Sequence, residues 1–158
     1  MQPGLFQMKT AKDLFAKLEW EFENFRKDPS NPWIAFNFFV TAEHLPDWIN
    51  RKDLKGNHSI LRICSHLANS GKHYKSNKKS VVDAFRNGVV DEDVCENGVF
   101  EEWLTIRLPE EEANTMKTSE IDGIPLAEKV VEWWRNYFRD NDKCSCGSGL
   151  KYKKCCGN

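Results

Sequence analysis

An excess of charge of one sign is missing from this chain. Lys and Arg number 23 against 24 Asp and Glu, a formal net charge of −1, so no global field draws the whole protein to nucleic acid. Long hydrophobic runs are missing too. The most apolar stretch, Trp33 to Val40, is short and broken by Asn37, which leaves no candidate membrane span. The opening residues, MQPGLFQMKT, lack a basic start followed by an apolar run. A signal peptide is therefore not expected, and the chain is expected to stay in the cytoplasm. There is no internal repeat, no low-complexity segment and no G-x-x-x-x-G-K-[ST] phosphate loop.

What is present suits a folded protein. Hydrophobic residues make up 40% and charged residues 30%, the balance of a globular chain rather than a disordered one. Six Trp and ten Phe supply an aromatic core. A length of 158 residues allows one domain and a small appendage.

Helical periodicity dominates the first half. Thr10 with Asp13 marks a helix start, and Leu14, Phe15, Leu18, Phe22 and Phe25 follow at helical spacing. This predicts a helix over about 10–27, ended by Asp28-Pro29-Ser30-Asn31-Pro32. A second helix is expected from Trp33 to Asn50, with Trp33, Phe36, Phe39 and Val40 in the core and a kink or split at Pro46. A third, over about 58–71, would be capped by Asn57 and stopped by Gly71. Leu104, Ile106 and Leu108 alternate with Thr105 and Arg107, the period of a strand. The stretch 81–122 therefore reads as a small antiparallel β insertion with an acidic loop at Glu110-Glu111-Glu112. Pro125 opens a last helix over about 125–140, with Leu126, Val130, Trp133 and Trp134 on its apolar face. Of the adjacent Trp133 and Trp134, one must point away from the core. The expected fold is α+β, mainly α. A body of about four helices with the β insertion spans 1–140, and a cysteine tail spans 141–158, joined by a short hinge at Asp140-Asn141-Asp142.

Four of the six cysteines fall in the last fifteen residues: Cys144, Cys146, Cys155 and Cys156. Clustered cysteines in a reducing compartment read as a metal site rather than as disulfides. Thiolate is the preferred ligand of structural zinc, which takes four ligands in a tetrahedron. Gly147 and Gly149 allow the tight curl that returns the chain to the metal. Four thiolates with one Zn²⁺ keep a net negative charge, and Lys143, Lys151, Lys153 and Lys154 surround it. A closed four-cysteine site leaves no open position, so the zinc would be structural.

The pattern C-x-C-G-S-G-x-x-Y-x-x-C-C resembles the SEC-C motif, first known at the C-terminus of the bacterial preprotein translocase ATPase. Cys144, Cys146, Gly147, Ser148, Gly149, Tyr152, Lys154, Cys155 and Cys156 all fit it. Some members have His at the last ligand; here it is Cys156. The resemblance implies zinc binding and docking onto a protein partner or the ribosome. On that basis the chain is expected to be a small bacterial or phage-associated adaptor.

A second set of residues shares one face of the third predicted helix. Arg62, His66, Asn69 and His73 recur at i, i+4, i+7 and i+11, opposite Ile60, Ile63, Cys64, Leu67 and Ala68. Two imidazoles, a guanidinium and a carboxamide can assemble general acid–base chemistry with a phosphate clamp, or they can form a solvated helix face. Residues 10–75 resemble HEPN-type ribonucleases, whose last core helix carries an Arg and a His. Only three residues separate Arg62 from His66, fewer than in that pattern. The resemblance implies metal-independent RNA cleavage, with the site completed across a homodimer. The basic run Lys72, His73, Lys75, Lys78 and Lys79 suggests a third reading, binding of a nucleic-acid backbone, with RNA as a candidate partner. Cys64 lies on the apolar arc and reads as a buried small hydrophobe. Cys95, among Asp91, Glu92, Asp93 and Glu96, reads as an unreactive thiol.

Overall fold

The computed structural model describes residues 8–72, 83–89 and 101–157. Helix α1 (Ala11–Lys27) starts at a reciprocal cap. The Asp13 amide donates to Thr10 Oγ1 (3.2 Å), and the Thr10 amide donates to Asp13 Oδ2 (2.8 Å). Leu14, Leu18, Phe22 and Phe25 form its buried face. Asn31 then caps α2 (Pro32–Trp48), accepting from the Trp33 and Ile34 amides. Pro46 does not split α2, because it falls in the last turn, where few backbone bonds remain to be lost.

The inward side of α2 is Ala35, Phe38, Phe39, Ala42 and Leu45. Phe38 meets Phe22 and Phe25 of α1 at ring distances of 6.1 and 6.3 Å, and Phe39 lies edge-on to Phe38. Burying one such ring stabilises by about 2 kcal/mol. Trp33 and Phe36 do not join this core. They are 77% and 37% exposed. Residues 32–42 hold no charge on any side, so periodicity alone does not choose which side turns inward.

A single turn, α3 (Leu54–Asn57), precedes α4 (Ser59–Lys72). Asn57 closes α3 instead of capping α4, whose first backbone bond runs from the Arg62 amide to the His58 carbonyl (2.9 Å). The helix passes through Gly71, since glycine weakens a helix without forbidding it. Leu61, Ile63, Cys64 and Ala68 are buried.

The region expected to be all β is interrupted by a helix. Strands β1 (Asp83–Val89) and β2 (Glu101–Arg107) pair antiparallel, Asp83 opposite Arg107 and Val89 opposite Glu101. Next comes α5 (Glu110–Met116), where an acidic loop was expected. Its three glutamates fill the first turn after Pro109, where free amides favour negative charge. Lys117, left-handed at φ 57°, ends it. Strand β3 (Glu120–Asp122) adds to β2, with Ile121 opposite Ile106. The sheet order is β1-β2-β3. Thr105 was expected to face outward. It is buried, and its hydroxyl donates to Asp122 (2.8 Å).

Helix α6 (Gly123–Asn141) lies against α1, α2, α4 and the sheet, burying Leu126, Val130, Val131 and Trp134. Trp133 is the partly exposed member of the tryptophan pair, stacked on Tyr137 at 5.5 Å. The protein is therefore mainly helical with a small antiparallel sheet. The described residues contain six helices rather than about four, the additions being the short α3 and α5. None of them is long and apolar enough to cross a membrane.

Candidate metal centre

The tail grows directly out of α6. The Asp142 amide donates to the carbonyls of Phe138 and Arg139, at 2.9 and 3.3 Å, so the expected hinge is occupied by helix and its cap. Lys143 then pairs antiparallel with Lys151, and two backbone bonds close the loop between them. The Cys144 amide donates to Leu150 (2.7 Å) and the Tyr152 amide to Asp142 (2.8 Å). Gly147 and Gly149 take φ values of 81° and 75°, a region costly for residues with a Cβ. A short 3-10 turn, Tyr152–Lys154, delivers Cys155 and Cys156.

This path gathers four sulfurs. One Sγ from each of Cys144, Cys146, Cys155 and Cys156 lies within 4.8 Å of the others. Cys146 and Cys155 are 3.3 Å apart and Cys155 and Cys156 3.9 Å, too far for disulfides and all free thiols. A tetrahedral zinc site with arms of about 2.3 Å has sulfur–sulfur edges of roughly 3.8 Å. The four side chains therefore fit a tetrahedral cation.

Electrostatics agrees with the spacing. The Ser148 hydroxyl and amide lower the Cys146 thiol to about 6. Hydrogen bonds from the Cys146 and Cys156 backbone lower the Cys144 thiol as well. Ser148 Oγ also donates to Cys155 Sγ (3.3 Å), yet the crowding of Cys146 and Cys144 leaves Cys155 raised. Cys156, pressed by Cys144 and Cys155, is pushed up to about 12. Some sulfurs ionise readily and the last resists, because negative charges cannot gather without a cation among them. A bound divalent metal removes that conflict.

Residues 141–158 match the family model of the SEC-C motif. The match covers the tail alone. No curated protein and no solved structure matches this chain. Within the SEC-C segment, Cys144 is buried, Cys155 half-buried, and Cys146 and Cys156 exposed. Leu150, Lys153 and Lys154 face solvent, while Lys151 donates to Asn141 (3.3 Å). Arg139 of α6 lies 5.7 Å from the Tyr152 ring centre, a further tie between helix and motif.

The second set of candidate residues is arranged differently. Arg62, His66 and Asn69 lie along α4, and His73 falls outside the described residues. Arg62 Nε donates to Glu112 Oε1 (2.5 Å), a second guanidinium nitrogen lies 3.0 Å from Glu111, and the third donates to the Gly56 carbonyl (2.9 Å). His66 Nε2 is 3.9 Å from the same Glu112 oxygen, and Asn69 donates to Ser65 (3.4 Å). The stripe is therefore half-buried beneath α5 rather than a solvated face, with Glu112 only 2% exposed. Sequence reasoning missed Glu112. It looks like its two neighbours, and no periodicity marks a carboxylate that turns inward. Cys64 is buried as expected, and burial pushes its thiol far up. Cys95 and the side chains of the basic run 72–79 lie outside what is described.

Proposed function

We propose that residues 141–158 bind one structural Zn²⁺ and serve as a docking element for a macromolecular partner, a protein or the ribosome, with the helical body as the cargo it brings. The gathering of four thiols on one short, exposed segment carries this reading. A complete set of four protein ligands leaves no position for a substrate, so chemistry at the metal is not expected. Leu150, 52% exposed, together with Lys153 and Lys154, offers an apolar point beside positive charge on the outside of the motif. Such a surface suits an acidic partner that carries an apolar pocket.

The test is a pull-down from bacterial lysate with zinc-loaded full-length protein. It is compared with a chain lacking 144–158 and with a Lys153→Glu/Lys154→Glu variant. Partners held by the intact chain should be lost from both. Recovery of the same partners by all three would sink the docking role.

A further inference from the structure

The first three turns of helix α2 are apolar on every side. No charged residue occurs from Pro32 to Ala42, and no Lys or Arg from Pro32 to Asn50. A helix apolar all round belongs in an interior, yet among the described residues α1, α4 and α6 cover only the inward side of α2 and leave its outer side open. Trp33, Phe36 and Val40, at i, i+3 and i+7, form its outer stripe. Trp20 extends that stripe onto α1. It stands one turn beyond Lys17, whose ammonium donates to Thr41 of α2 (2.7 Å), and so faces the α2 side. Trp33 is 77% exposed, Trp20 66%, Trp48 40% and Phe36 37%.

We propose that this outer face of α2, with Trp20 beside it, is a homodimer interface in which two copies lie α2 against α2 about a twofold axis. Charge decides the occupant. In a twofold contact, groups near the axis meet their own copies, so a self-pairing face must carry no charge at its middle. Phe36, Asn37 and Val40 meet that condition. The Asn37 carboxamide has no hydrogen-bond partner among the described residues, and it both donates and accepts. It can therefore bond to the partner's Asn37. An anionic membrane or a nucleic acid would instead ask for several Lys or Arg, and α2 itself carries none. Area supports a stable contact. The four exposed aromatics leave roughly 440–550 Å² in water, taking about 200–250 Å² for a whole side chain. That is more than half of the ~800 Å² each partner gives to a standard interface.

Sedimentation equilibrium of the full-length, zinc-loaded protein tests this. The wild type should be a dimer. Trp33→Glu should weaken the dimer about thirtyfold or more while leaving the far-ultraviolet circular dichroism unchanged, because the side chain is exposed. Leu150→Glu, on the tail, should remain dimeric. A wild type still monomeric at about 100 µM, well above the dissociation constants of specific interfaces, would overturn the proposal. So would a Trp33→Glu variant that dimerises like the wild type, or a monomeric wild type that floats with phosphatidylcholine vesicles.

Discussion

Glu112 is a carboxylate that water barely reaches, and Arg62 is what makes its position tolerable. Removing one partner of a buried ion pair leaves an uncompensated charge, at a cost of about 3–5 kcal/mol. Arg62→Ala should therefore lower the unfolding free energy by about that much, read from urea denaturation. Arg62→Met with Glu112→Leu should recover most of the loss, because no lone charge then remains. A loss in Arg62→Ala below about 0.5 kcal/mol, the scale of a surface change, would mean that the pair is no brace. The sequence made Arg62 visible as one of a polar stripe. Its partner lies fifty positions away on a helix that the glutamate run disguised as a loop. Pairings of that kind depend on how α5 docks on α4, and local pattern carries no trace of it.

Elements whose ends are written in local chemistry were readable. Thr10 with Asp13, and Asn31 before Pro32, each satisfy free amides at a helix start, and both helices begin there. The burial of Leu104, Ile106 and Leu108 also holds, although Thr105 between them is buried as well. The orientation of α2 was not readable from its first three turns, which are apolar on all sides and so have no preferred inner face. The cysteine tail stands at the other extreme, for its spacing alone points to its geometry. It has no apolar core of its own, so bound metal must supply its folding energy, on the order of 10 kcal/mol or more. Metal analysis of purified protein should find one zinc per chain. A strong chelator should remove it and collapse amide protection in 143–157, while protection in α1, α2 and α6 persists. Cys146→Ser should bind zinc far more weakly. Tail amides that stay protected after zinc is gone would contradict metal-driven folding.

At the scale of the whole molecule, the core is complete without the motif. The hydrophobic cluster joins α1, α2, α4, α6 and the sheet, and no tail residue belongs to it. A chain ending at Asn141 should keep one cooperative thermal transition and the helical circular dichroism of the full protein, with Tm lowered by no more than a few degrees. Loss of the Lys12–Asp142 pair, which is exposed on both sides, should account for little of that change. A truncated chain that unfolds on removal of the tail would show the body to be dependent on it. The division into body and tail was visible as a change in composition, but the nature of their joint was not. Helix α6 runs unbroken from the core to Asn141, its cap Asp142 is bonded by Lys12 and by the Tyr152 amide, and Arg139 of its last turn lies over the Tyr152 ring. Mechanically this joint is a lever arm rather than a tether. A partner that gripped the cysteine-bearing tip would set the angle at which α6 is held, and torque applied there would reach the centre of the body without slack.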